Sequence, residues 1–168
     1  MTLREILNVT FLFLLYLSLQ ILLVRNMVLF DVGFCFIYVA CILLLPTEMS
    51  LSATLLTAFG VGIIVDTFYN TLGMHAAATV LMAYIRPLVI RLQEAQHGFE
   101  SRFVFSIREM GVRDFLYYVM SLTFIHHFAL FLIEANNILL VLPAMVKILA
   151  STLFTSFTIV LVQYFSRN

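Results

Sequence analysis

Long apolar runs fill the chain, and short polar interruptions separate them. The runs predict six membrane-crossing helices, at about Ile6–Val24, Val28–Leu45, Leu51–Phe68, Leu72–Ile90, Phe115–Ala135 and Ile138–Phe165. Each is of the length a helix needs to cross the hydrocarbon, roughly 17–25 apolar residues, or longer. The breaks have mechanisms. Arg25-Asn26 ends the first run and Pro46-Thr47-Glu48 the second, with Ser50 or Ser52 placed to cap the third. Asn70 and Gly73 tolerate left-handed backbone angles and suit a turn, and Asn136-Asn137 do the same before the last run. The first run is too long for a signal peptide and no small-x-small cleavage site follows it, so it reads as a helix.

Composition agrees with that pattern. Of 168 residues, 63% are hydrophobic and only 11% are charged, and mean hydropathy is +1.09. A soluble domain carries about 25% charge. The expectation is one all-α polytopic membrane domain over residues 1–168, in a bilayer, with little outside it. Formal net charge is zero, which leaves no basic surface for nucleic acid. Cys35 and Cys41 sit inside an apolar run and read as packing residues. With six spans both termini share a side with Arg4, Arg91, Arg102, Arg108, Arg113 and Arg167, while Arg25 lies opposite. Basic residues stay cytoplasmic, so the termini and the loop at about 91–114 are expected inside. That loop mixes charges with Phe103, Phe105 and Ile107, as a solvated connector or a short interfacial helix would.

Six polar residues are expected in the outer half of the bundle or near its middle: Asp31, Asp66, His75, His126, His127 and Lys147. An unpaired charge at the bilayer centre costs about 3 kcal/mol or more, so such side chains should face protein and find partners. They could form a structural knot or line a proton or ion path. His126 and His127 point about 100° apart on a helix and make a poor joint metal site. No nucleophile or metalloprotease motif is present, so no catalytic residue is expected. Arg86, near an inner helix end, could extend to the headgroups. Ala58, Gly62 and Asp66 recur at four-residue spacing, and Thr79 and Ala83 do likewise, which predicts a close hairpin of the third and fourth spans. Asp66 is expected to close its outer end and to pair with Lys147, with His75 donating to the same carboxylate. Residue counts place Asp66 roughly 8 Å and Lys147 roughly 14 Å from the outer boundary.

The run from Thr57 to Pro87, TAFGVGIIVDTFYNTLGMHAAATVLMAYIRP, resembles the core of the MreD family of bacterial rod shape-determining membrane proteins. The resemblance rests on Phe59, the G-x-x-x-D of Gly62 and Asp66, Leu72-Gly73 with His75, and Ala83-Tyr84; Gln20 and Leu45-Pro46 fit as well. It implies a non-enzymatic scaffold of the cell-wall elongation machinery in the bacterial inner membrane, without cofactor or metal. It implies binding to an MreC-like single-span partner and, through the larger assembly, to the actin-like MreB, the glycosyltransferase RodA and a class B penicillin-binding protein. Self-association is compatible with the same features. The family's layout is also similar to the substrate-binding subunits of energy-coupling-factor transporters. That leaves a second expectation, a small-ligand protein whose pocket opens outward among Asp31, Asp66, His75 and Lys147.

Overall fold

The computed structural model describes residues 3–97, 107–136 and 138–165. Helix α1 spans Leu3–Leu22. A small hairpin follows, with strands β1, Val28–Leu29, and β2, Gly33–Phe34. Then come a short helix α2, Ala40–Leu43, and four long helices: α3, Leu51–Tyr69; α4, Met74–His97; α5, Ile107–Ala135; and α6, Val141–Phe165. Among the described residues, α3 to α6 are long and apolar enough to cross a membrane, and α1 contributes a shorter apolar stretch, Val9–Leu22. With its composition, this is the architecture of a helical multi-pass membrane protein.

Local chemistry sets the boundaries. The Ser50 hydroxyl accepts from the Ala53 N–H at 3.3 Å and caps α3. Asn70 ends that helix in the left-handed region, at φ 56° and ψ 41°, and the Asn70 and Thr71 N–H groups both donate to the Asp66 carbonyl. Helix α4 runs about two turns beyond the predicted end at Ile90. Helix α5 starts before the predicted Phe115, because Ile107–Met110 forms one turn that Gly111 breaks at φ 77°. Ile107 and Met110 are buried, so that turn is tucked against the protein. Residues 98–106, with Arg102, Phe103 and Phe105, lie outside the described residues, as do Asn137 and Arg167.

The long helices pack in sequence order, α3 on α4, α4 on α5, and α5 on α6. Helix α1 and the chain between α1 and α3 pack on this set, α1 against the turn at Ile37–Val39 and β2 against α6.

The predicted second helix at Val28–Leu45 does not form. Its residues instead make the hairpin, a 3₁₀ turn and the four-residue α2. Phe30 and Asp31 turn the hairpin at φ 50° and 59°, a left-handed conformation that no helix interior contains. The segment still runs the length of the bundle. It starts beside the Asn70 end, where Arg25 lies over the Tyr69 ring, and reaches Arg86 and Tyr118 at Leu43–Leu45. Irregular backbone in an apolar environment must have its polar groups satisfied by protein, and the neighbouring helices do this. Phe34 N–H donates to Ser151 Oγ at 2.9 Å and Phe36 N–H to Thr155 Oγ1 at 3.0 Å. Gln20 bridges the segment, its Nε2 donating to Cys35 O and its Oε1 accepting from Tyr38 N–H, both at 3.3 Å. Tyr118 Oη donates to Leu43 O at 2.9 Å, and Arg86 Nη2 donates to the Leu43 and Leu45 carbonyls. Arg86 is thus buried inside the bundle and does not reach outward as expected. Residues 35–43 are all buried and form the centre of the core.

Candidate functional site

The polar residues divide into two connected groups. The first locks the hairpin of α3 and α4. Both oxygens of Asp66 accept backbone N–H groups at the start of α4, Oδ1 from His75 at 3.0 Å and Oδ2 from Ala76 at 2.9 Å. Thr71 Oγ1 also donates to Oδ1. The carboxylate therefore occupies the positive end of the α4 dipole and satisfies donors that no helix turn could. Gly62, one turn before Asp66, lets α3 touch α4: a Cβ there would stand 2.3 Å from Ala76 Cα and 2.7 Å from Ala76 N. Gly73 turns the connection at φ 79°. Ala58, Gly62 and Asp66 are all buried on this face, as the four-residue spacing predicts. Gly60 has open space around it and plays no such part.

The second group centres on Tyr38, a residue without any signal in the sequence pattern. Its hydroxyl lies 2.9 Å from His75 Nδ1, 2.7 Å from His126 Nε2 and 3.3 Å from Thr79 Oγ1. A phenol has one proton, so Tyr38 donates to one imidazole and accepts from the other. Thr79 Oγ1 itself donates to His75 O at 2.6 Å. His127 faces away, as adjacent helical residues must. Its Nδ1 donates to Thr123 O at 2.7 Å, which leaves Nε2 as the acceptor toward Thr155 Oγ1 at 3.3 Å. Phe36 fills the space between these rings, with centroids 5.1 Å from His75, 5.4 Å from His127 and 6.0 Å from Tyr69. Tyr69 Oη accepts from Gln20 Nε2 at 2.6 Å.

His75 thus links the two groups, its main chain bonded to Asp66 and its ring joined through Tyr38 to His126, with the His127 ring 5.2 Å from that of His126. Asp31 and Lys147 do not join them. Asp31 is exposed at the hairpin turn. Lys147 Nζ lies 4.0 Å from Glu134 Oε1 and 5.8 Å from the Phe34 ring centroid, with its side chain 41% exposed. The expected Asp66–Lys147 pair is therefore absent: Asp66 is bonded to the start of α4, and Lys147 lies beside Glu134 and Phe34. The His75 contribution to Asp66 comes from its main chain; its ring turns to Tyr38.

The cluster is buried. His126 and His127 are fully buried, His75 is 3% exposed and Asp66 4%. Among the described residues the hydrogen-bonded chain stops at His126, whose Nδ1 is buried without a partner, and the buried apolar Met82, Leu122 and Ile42 belong to the same core. No group of three metal-ligating side chains is found among the described residues. The polar side chains that sequence reasoning passed over are Tyr38, Tyr118, Ser151 and Thr155. The one visible signal, for Ser151 and Thr155, was the Ser151, Thr152, Thr155, Ser156 stripe of hydroxyl groups in the apolar α6. Compared with family models, curated proteins and solved structures, the chain matches none.

Proposed function

We propose that this protein is a non-enzymatic membrane scaffold of the MreD type. In this role it binds an MreC-like single-span partner within the machinery that elongates the bacterial cell wall. The observation that carries the reading is that the stretch resembling that family folds as one structural device. Gly62, Asp66, Gly73 and the His75 and Ala76 main chain join two helices closely. The polar interior is used to hold an irregular chain segment in place, which suits a rigid body that presents helix faces to other helices. Phe59 and Tyr84, also part of the resembling stretch, are 53% and 63% exposed and offer contact surface on α3 and α4. MreB, RodA and a class B penicillin-binding protein would be met through the larger assembly.

In this reading the chain crosses the inner membrane six times, the second time by the irregular segment, and both termini are cytoplasmic. The small-ligand alternative expects a cavity among Asp31, Asp66, His75 and Lys147. Those four do not converge, and the buried two are packed, which favours the scaffold. The test is gentle extraction from native membrane, with partners identified by mass. A single-span protein carrying a large outer-face domain should co-purify, and Phe59→Ala with Tyr84→Ala should reduce its yield. Isolation of the protein alone, with its MreC-like neighbour expressed but unbound, would overturn the proposal.

A further inference from the structure

The end of the bundle opposite Asn70 carries a cleft of about 520 Å³, between the Pro46–Ser50 turn, the first turn of α3 and the second half of α4. It lies where one apolar span begins and the next one ends. That is the depth of lipid headgroups, where apolar chains give way to water. Its lining is mixed in a particular way. Arg86 forms part of the wall but is already bound to the Leu43 and Leu45 carbonyls and to Tyr118. Leu51, Pro87 and Ile90 supply apolar surface. Three charged side chains complete the cleft: Glu48 and Arg91, both exposed, and Glu94, half-buried. No ion pair joins Arg91 to either carboxylate.

We propose that this cleft binds the headgroup of a zwitterionic phospholipid with a primary ammonium, of the phosphatidylethanolamine class. Arg91 and the positive end of the α3 dipole meet the phosphate. Glu48 and Glu94 take the ammonium, whose N–H donors suit carboxylate acceptors. The glycerol and the upper acyl chain follow Leu51, Pro87 and Ile90. Two other headgroups fit less well. Phosphatidylcholine has no N–H to donate, and phosphatidylglycerol brings a negative charge without a cation for Glu48 and Glu94. The inference does not depend on the scaffold reading.

The test uses the full chain in mild detergent, titrated with dioctanoyl phosphatidylethanolamine, phosphatidylcholine and phosphatidylglycerol, and reads thermal stability against lipid concentration. The ethanolamine lipid should act at about tenfold lower concentration than the other two, the worth of one charge-assisted hydrogen bond. In the double variant Glu48→Met with Glu94→Met, which removes both acceptors, the ethanolamine and choline lipids should become equivalent. Their ratio is taken within one protein, so a general loss of stability cancels. Arg91→Gln should weaken all three lipids together. Equal action of ethanolamine and choline lipids on the unaltered protein would overturn the proposal, as would a preference that survives the double variant. Absence of any lipid response, the result expected if a partner's polypeptide fills the cleft, would overturn it too.

Discussion

Asp66 is the residue whose chemistry reaches furthest for its size. Two backbone N–H groups and one hydroxyl converge on it, so its removal leaves the first turn of α4 uncapped inside an apolar bundle. Asp66→Ala should cost about 0.5–2 kcal/mol, the usual price of a lost helix cap. Asp66→Asn should cost less, since an amide keeps one acceptor oxygen. Adding Lys147→Met to Asp66→Ala should give no rescue; the two losses should add within about 0.5 kcal/mol, because the side chains share no partner. Thermal unfolding in detergent measures all three. The glycines give a paired control. Gly62→Ala drives a Cβ into the Ala76 backbone and should destabilise by about 1–3 kcal/mol. Gly60→Ala meets open space and should be neutral or slightly stabilising.

At the scale of elements, the irregular segment depends on helices distant in sequence. Ser151 and Thr155 on α6 take the Phe34 and Phe36 N–H groups that a helix would have bonded internally. Thr155→Val keeps the shape of the side chain but leaves the Phe36 N–H buried without an acceptor. A loss of about 1–3 kcal/mol is expected, the cost of an orphaned buried donor. The control is Thr67→Val, whose exposed hydroxyl donates to Ile63 O in its own helix and which should change stability by less than about 0.5 kcal/mol. Hydrogen exchange separates local from global effects. In Thr155→Val, amide protection should fall first at residues 34–38 while α3 and α4 remain protected. Uniform loss across all helices would show that the segment and the bundle unfold together.

At the scale of the whole molecule, the open question is direction in the membrane. Cys35 and Cys41 are 3% and 4% exposed, so a cysteine introduced at the surface can be read against a silent background. Asn70 and Gln96 are exposed near opposite ends of the α3–α4 hairpin. In intact cells Asn70→Cys should react with an impermeant thiol reagent and Gln96→Cys should not, following the one-sided distribution of arginines. Reaction at Gln96 alone would reverse the orientation and place the cleft near Glu48 and Arg91 on the outer face.

Hydropathy and turn chemistry alone determined the membrane class, helix α3 to within a residue of its end, and the close α3–α4 hairpin with Gly62 and Asp66 on its inner face. These features were legible because they are local: an apolar run of spanning length, a serine cap, an asparagine and a glycine at a turn, and small residues one helical turn apart. The path of residues 28–45 was decided only by the tertiary structure. Its hydropathy is that of a helix, and an isolated apolar segment in lipid would have to be one to satisfy its own backbone. Here Gln20, Arg86, Tyr118, Ser151 and Thr155 supply the missing partners from four helices. The partner of Asp66 was hidden for the same reason. Depth along a helix shows which charges share a level, but the competing donors were main-chain N–H groups, which every residue except proline carries and no side-chain pattern reveals.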